Sequence, residues 1–277
     1  MILNISNNTD LVRFYEPWLI QRFKDGYFNI ETTKQNNIYK LNPSNFELLV
    51  FQSKNFTNIL KDIDFFKENK FNCLFIATFT PYSDDIEPGV NKKDAFNAIQ
   101  EIAKIYSRKQ IIWKYAPIIV NDQFPVEFHL KKFEKICKKL SRYTDSCICD
   151  FIEEFEHPVH SSLYAPPVDI QLKKELLSKF VEIGEKYKVK IYSKNLKNNI
   201  TKLLHTKVKE IAKITVEEKM KILDLGLPNT CKGGCEYCFC GGNKHFKNTN
   251  CIVTSPNMIG NVDTSKKHTT RKCPPLI

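Results

Sequence analysis

Short apolar runs alternate along the chain with segments in which apolar residues recur every three or four positions. The runs are too continuously apolar for a half-exposed antiparallel sheet, so they predict buried parallel strands. The predicted strands are Ile2–Ser6, Phe46–Gln52, Cys73–Phe79, Gln110–Tyr115, Ser146–Ile152, Lys188–Ser193 and Lys221–Leu225. The predicted helices are Leu11–Lys24, Phe56–Glu68, Lys92–Ser107, Pro125–Arg142 and Gln171–Tyr187. Residues 195–220 are Lys-rich and weakly amphipathic, and predict a helix pair.

The regular alternation of strand and helix predicts an α/β fold. Because units recur at a spacing of about 30 residues without a change of composition before residue 190, we predict a (β/α) barrel-like domain, a partial TIM-type barrel, over residues 1–226. After Gly226 the chain becomes rich in Gly, Asn, Thr, Lys and Cys. We predict that residues 227–277 form a Cys-rich tail that docks on the barrel and depends on a bound metal.

Composition excludes several protein classes. With 42% hydrophobic and 12% aromatic residues in 277, the chain has enough core material to exclude wholesale disorder. No apolar run approaches the ~18 residues of a membrane span, and the N-terminus lacks the features of a signal peptide. We therefore expect a cytoplasmic protein without a membrane partner.

The positive charge of the chain is concentrated in its last third. The net charge is +11, but residues 1–185 carry 24 basic and 25 acidic residues, whereas residues 186–277 carry 18 basic and 6 acidic ones. One interpretation is a solvated Lys-rich surface. The other is an electrostatic footprint for a polyanion such as nucleic acid.

Three of the ten cysteines have a spacing that suggests metal binding. Cys231, Cys235 and Cys238 form C-x3-C-x2-C after the predicted strand Lys221–Leu225, with an aromatic residue just before the third thiol. Without a secretion signal a disulfide framework is not expected. Gly233 and Gly234 allow a tight turn that wraps three thiolates around three irons of a cubane, which leaves one iron free to bind something else.

Zinc is the alternative for the same residues. The pair Cys235 and Cys238 has zinc-type spacing, and Cys240, His245, Cys251 or Cys273 could complete a tetrahedron. A zinc ribbon would normally supply a second C-x2-C pair, and the sequence has none. The spacing therefore favours an iron–sulfur cluster over zinc.

Polar residues at or just after predicted strand ends are the candidates for cofactor binding, because a barrel places its chemistry at the carboxyl ends of its strands. They are Asn4, Ser6, Asp10, Lys54, Thr78, Lys114 and Asp150. For Asp10 the alternative is a cap on the next helix, and for the two lysines it is plain surface exposure. Asp84, Asp85 and Glu87 form an acidic turn before Pro88-Gly89, which we interpret as solvated.

The cysteine segment resembles the motif of radical S-adenosylmethionine enzymes. The resemblance implies a [4Fe–4S] cluster on Cys231, Cys235 and Cys238 whose fourth iron binds S-adenosylmethionine, and electron transfer that yields a 5′-deoxyadenosyl radical. It also implies an electron donor such as flavodoxin or ferredoxin. The motif usually follows the first barrel strand; here it follows the last predicted one, so the cluster-binding strand and loop would come from the C-terminal end.

Nearly the whole chain resembles the bacterial family known as domain of unknown function 1848, which is described as close to spore photoproduct lyase. The landmarks are residues 6–10, 14–15, 51–55, 78–82, 87–90, 113–118, 122, 129–130, 133, 143–144, 147, 151, 224, 226, 230–238, 255–256 and 259–260. The chain departs from the family at Asn7-Asn8, where two arginines are usual, and at Ala116, where an aspartate is usual. It also lacks a cysteine pair in residues 194–221.

The sequence therefore leads to two functional hypotheses. The first is a radical S-adenosylmethionine enzyme that acts on an unknown substrate, with nucleic acid suggested by the charge and by the family resemblance. The second is a zinc-stabilised nucleic-acid-binding protein without catalysis. A family member that keeps a cluster only for structure or electron transfer is a third possibility.

Overall fold

The computed structural model describes residues 1–6, 9–31, 36–152, 163–213, 221–226, 230–238, 251 and 253–255. The strands are β1 (Ile2–Asn4), β2 (Tyr27–Glu31), β3 (Asn36–Lys40), β4 (Leu48–Ser53), β5 (Cys73–Thr78), β6 (Ile111–Ile118), β7 (Ser146–Phe151), β8 (Lys190–Tyr192) and β9 (Ile222–Asp224). The helices are α1 (Leu11–Phe14), α2 (Glu16–Asp25), α3 (Ile63–Glu68), α4 (Lys92–Ile105), α5 (Val126–Leu140), α6 (Ile170–Tyr187) and α7 (Ile200–Ala212). Two short 3₁₀ turns, Thr57–Asp62 and Arg108–Gln110, precede α3 and β6.

Seven parallel strands form the main sheet in the order β8-β7-β6-β5-β4-β1-β9. All seven predicted strands are found, so the α/β prediction is confirmed. Neighbours from β1 to β8 follow chain order apart from the β2–β3 hairpin, and β9 returns to pair with β1. The carboxyl end of β9 therefore lies beside that of β1, although 220 residues separate Asn4 from Asp224 in sequence.

Side chains alternate between two faces of this sheet, as the pleat requires. Leu3, Phe51, Phe75 and Trp113 belong to the larger core, which they share with residues of helices α1 to α6. The alternate positions, among them Ile2, Leu48, Val50, Ile76 and Ile112, form a second core with Leu203, Leu204 and Val208 of α7. The helices thus cover both faces, which is why the strands are apolar on both sides.

In the part of the chain that the structure describes, the sheet is open and does not close into the predicted barrel. Strands β8 and β9 are the two edges, and no pairing joins them among the described residues. Helix α7 packs on the second face of this sheet, whereas the strands of a barrel fill their inner face with their own side chains. The predicted helix pair in residues 195–220 is one helix as far as it is described, and its Lys207 forms a buried ion pair with Asp145 at 2.7 Å.

Helix starts follow local capping chemistry. The side chains of Asp10, Asn91, Asp169 and Asn199 each accept a hydrogen bond from a backbone N–H of the first helical turn that follows. The hairpin β2–β3 was not predicted from the sequence. Among the described helices none is long and apolar enough to cross a membrane.

Three lysines, Lys70, Lys188 and Lys213, are the described non-glycine residues with positive φ. Lys188 ends α6 with φ 58° and is exposed. Since a side chain at this conformation costs about 1 kcal/mol, we expect Lys188→Gly to raise the free energy of unfolding by about that amount in urea titrations. Lys190→Gly is the matched control: this exposed lysine lies in a strand, so the same change there should lower stability. A loss of stability in Lys188→Gly would contradict the argument.

Candidate cluster site

Residues 230–238, here called the cysteine loop, lie over the carboxyl ends of the sheet strands. The loop follows β9, and Thr230 anchors its start: its hydroxyl is hydrogen bonded to that of Thr9, and its carbonyl accepts a hydrogen bond from Tyr15 Oη at 2.6 Å. Farther along, Glu236 donates its backbone N–H to the Ile86 carbonyl at 3.0 Å. The cysteine loop is therefore held by the segments that follow β1 and β5.

Two of the three thiols flank a glycine. A Cβ atom built on Gly233 would lie 3.4 Å from Cys231 Sγ and 3.6 Å from Cys235 Sγ. Gly234 has φ +61°, and the Cys238 N–H donates to the Cys235 carbonyl at 3.0 Å, which closes the turn. A methyl group at position 233 would make ordinary van der Waals contact with both sulfurs, so the turn requires glycine at position 234, where φ is positive, and not at position 233.

The thiols differ in their surroundings. Burial raises the pKa of Cys231, although N–H groups of Asp10 and Gly233 donate hydrogen bonds to its sulfur and oppose that rise. Cys235 is buried and packs in a small core with Tyr82, Ile86 and Phe124 near the ends of β5 and β6. Among the described residues, no group of three or more His, Cys, Asp or Glu side chains already has the arrangement of a metal site.

A buried carboxylate lies next to this loop. Glu87 is 1% exposed, and it accepts hydrogen bonds from Thr80 Oγ1 at 2.6 Å, from Tyr237 Oη at 2.5 Å and from Lys54 Nζ at 2.5 Å. Lys92 Nζ contacts the second carboxylate oxygen, and Lys54 Nζ also donates to Tyr237 Oη. The interpretation of Glu87 as part of a solvated acidic turn was wrong, because these donors replace water around its charge.

The charges of this network shift its pKa values. Burial alone would raise the pKa of Glu87, but the ammonium groups of Lys54 and Lys92 outweigh it and lower that pKa to about 2. Burial likewise opposes the charge of Lys54, yet Glu87 and Cys235 raise its pKa above the ordinary range. Lys92, with fewer compensating partners, has a lowered pKa because of its burial. Glu87 and Lys54 are therefore both charged at neutral pH.

Asp10 caps a helix and also bonds to residues at and just after the end of β4. Its carboxylate caps α1 by accepting the Arg13 N–H at 3.0 Å, so the capping prediction is confirmed. The other oxygen accepts from Ser53 Oγ at 2.9 Å and from the Lys54 N–H at 3.2 Å. Burial raises the pKa of this carboxyl in spite of these hydrogen bonds. Asp10 thus ties the segment after β1 to the end of β4, beside Cys231.

The remaining predicted cofactor residues follow the face of the sheet that α7 covers. Asn4 Nδ2 donates to Asp224 Oδ1 at 2.8 Å and joins β1 to β9. Ser6 Oγ and Gln52 Oε1 of the neighbouring strand are buried, and neither has a hydrogen-bond partner among the described residues. Buried polar atoms of this kind usually receive a ligand or water.

Thr78, Lys114 and Asp150 lie farther along the sheet, on β5, β6 and β7. Asp150 accepts from Ser193 Oγ at 3.1 Å and from the Lys194 N–H at 3.2 Å, and burial raises its pKa. The charge of Lys114 acts on Asp150 and opposes that rise. The structure therefore brings Asp10 and Lys54 to the cysteine loop and leaves these three one to three strands beyond β4.

Sequence reasoning missed Glu87 and the hydroxyl of Tyr237. In the sequence Tyr237 is recognisable only as the aromatic residue of the motif, and no local pattern indicates that its hydroxyl meets Glu87, 150 residues earlier. Of the candidate fourth zinc ligands, Cys251 is half-buried near Arg22 and Lys232. Cys240, His245 and Cys273 lie outside the described residues, as do Asn7 and Asn8.

Comparison with known proteins gives one family and little else. The model of the family described as "Domain of unknown function (DUF1848)" matches residues 2–240. No curated protein matches the sequence. A solved structure of an endocellulase from Pyrococcus horikoshii, in complex with cellotetraose, aligns at 10% identity and a TM-score of 0.31. The alignment covers 61% of this chain and 57% of the endocellulase chain, and a likeness this weak carries no argument.

Proposed function

The chain belongs to the DUF1848 family, and from that premise and the geometry of its cysteine loop we propose that it is a radical S-adenosylmethionine-type iron–sulfur enzyme. The observation that supports the proposal is the position of the cysteine loop in the fold. Three thiols at the motif spacing lie over the carboxyl ends of a parallel α/β sheet, which is where such sheets place their chemistry.

In chemistry and spacing, three thiolates are the soft donor set that a [4Fe–4S] cluster takes. Cys231, Cys235 and Cys238 would hold three irons, and the positive φ of Gly234 turns the loop between the first thiol position and the other two. When bound, a cluster with three protein thiolates would supply an electron to cleave the sulfonium of S-adenosylmethionine and so begin hydrogen abstraction from a substrate. We further propose that the open sheet is a partial barrel in which β9 is the cluster-binding strand.

The polar residues around the loop suit the rest of that cofactor. Asp10, whose carboxylate is already fixed by Ser53 and the Lys54 N–H, would face its ammonium group. The buried oxygens of Ser6 and Gln52, which have no partner in the described part of the chain, would accept hydrogen bonds from its hydroxyl or amino groups. Thr78, Lys114 and Asp150, farther along the sheet, would face the substrate.

The substrate class that the charge distribution favours is nucleic acid, and an electron donor such as flavodoxin or ferredoxin would supply the electron. The chain's last third carries the basic surplus, of which Lys207 is committed to an internal ion pair. We expect binding to random oligonucleotides that weakens steeply as salt rises. The measurement is a fluorescence titration at several salt concentrations, and no binding at low salt would remove nucleic acid from the proposal.

Anaerobic reconstitution of the full chain with iron and sulfide tests the proposed function. We expect a brown protein with about four irons per chain that converts S-adenosylmethionine to 5′-deoxyadenosine when reduced. A colourless protein that holds one zinc ion would overturn the proposal in favour of a zinc-stabilised binding protein. A cluster without cofactor cleavage would indicate a structural or electron-transfer role.

A further inference from the structure

The network around Glu87 has a net positive charge. Glu87 contributes one buried negative charge, and Lys54 and Lys92 each contribute a positive one. The side chain of Lys54 is 15% exposed and that of Lys92 is 30% exposed, so water screens Lys54 less. A buried surplus charge is costly unless an anion lies nearby.

Both lysines of the network act electrostatically with Cys235, but Lys54 also acts with Cys238 and contacts Tyr237 of the cysteine loop. The Lys54 Nζ lies 4.7 Å from the centroid of the Tyr237 ring, and both Cys235 and Cys238 act electrostatically on its charge. Two of its three N–H donors are used, one by Glu87 Oε1 and one by Tyr237 Oη. Within the described part of the chain, the third donor has no acceptor and could serve a further one.

Glu87 and Tyr237 hold this ammonium group in one position. Thr80 and Lys92 fix the Glu87 carboxylate from the side opposite Lys54. Tyr237 belongs to the cysteine loop itself, so the same hydroxyl that orients Lys54 also ties the thiols to it. These contacts therefore fix the ammonium group of Lys54 near the cysteine loop, whereas the side chain of a surface lysine would be free to move.

We propose that Lys54 is the electrostatic partner of the metal centre: it stabilises the negative charge of a cluster held by Cys235 and Cys238, and it makes that cluster easier to reduce. The inference rests on the proposed function. One-electron reduction adds one negative charge to the cluster and breaks no bond, so a fixed cation beside it favours the reduced form. Lys54 would act through the cluster, as a positioning and tuning residue.

The midpoint potential of the reconstituted full-length protein, measured by redox titration without S-adenosylmethionine, tests this role. We expect Lys54→Met, which keeps the length of the stem and removes the charge, to shift the potential to more negative values. Lys54→Arg should restore a potential close to that of the wild type. Lys54→Gln is a second neutral variant in case the first does not fold.

Lys232→Met is the matched control, because this lysine lies in the cysteine loop but stacks over Tyr15, with Nζ 5.1 Å from the ring centroid. We expect a smaller shift there. An unchanged potential in both neutral Lys54 variants would overturn the inference while the cluster itself stands. A shift seen only when S-adenosylmethionine is present would assign Lys54 to the carboxylate of that cofactor and also overturn it. A wild-type chain that takes up no cluster would refute the proposed function instead.

Discussion

From the proposed function we expect Cys235→Ser to be colourless after reconstitution, with its iron content near none where that of the wild type is about four per chain. Cys235 is the central thiol of the three, buried between Gly233 and Tyr237, and serine offers a harder oxygen donor that iron–sulfur clusters bind poorly. Cys231→Ser and Cys238→Ser should behave alike. Cleavage of S-adenosylmethionine should disappear with the iron.

Cys251→Ser is the control for this loss. Cys251 is the remaining described cysteine of the tail, half-buried near Lys232 and Arg22. If three thiolates suffice, this variant keeps the iron and the colour of the wild type. Loss of metal in Cys251→Ser, together with zinc in the wild type, would instead indicate a four-ligand zinc site. Iron content and visible absorption separate these results.

Glu87→Ala is expected to destabilise the fold by about 3–5 kcal/mol, because it leaves two lysine charges and two hydroxyl groups without their buried acceptor. The cysteine loop should loosen with it, since Tyr237 Oη loses its bond to Glu87. Urea denaturation measures the first effect. Hydrogen exchange of residues 230–238 measures the second.

A second lysine–carboxylate pair with similar geometry supplies the control. Lys186 Nζ lies 2.6 Å from Glu134 Oε1, but these side chains are 62% and 42% exposed. Because water solvates both charges in the unpaired state, Glu134→Ala should leave the free energy of unfolding unchanged within error. Equal effects of the two variants would contradict the claim that burial makes the Glu87 network matter.

The pH dependence of stability offers an independent test of Glu87. Folding lowers its pKa from the ordinary value of 4.5 to about 2, so the unfolded chain binds the proton more readily. The stabilising contribution is complete above pH 4.5 and is lost as the pH falls toward 2. Glu87→Gln should remove this part of the acid destabilisation. If the free energy of unfolding falls with pH equally in wild type and variant across that window, the Glu87 carboxyl is not paired in solution.

The pattern of apolar residues was sufficient for the main sheet. Runs such as Cys73–Thr78 and Ser146–Phe151 are buried on both faces, and this leaves a signal in every residue of the strand. The hairpin Tyr27–Lys40 left no such signal, because Asn, Lys and Glu interrupt its strands. The pattern also did not show where α7 packs. The spacing of apolar residues in an amphipathic helix predicts which of its sides is buried, but it does not identify the element that this side packs against.

By itself the sequence determined the strand–helix alternation and the spacing of Cys231, Cys235 and Cys238, because each depends on residues close together in the chain. Only the tertiary structure decided that Glu87 is buried and that Lys54 and Tyr237 meet it. Those contacts join loops that follow different strands, and they form because parallel strands bring their carboxyl ends to one edge of the sheet whatever their separation in sequence.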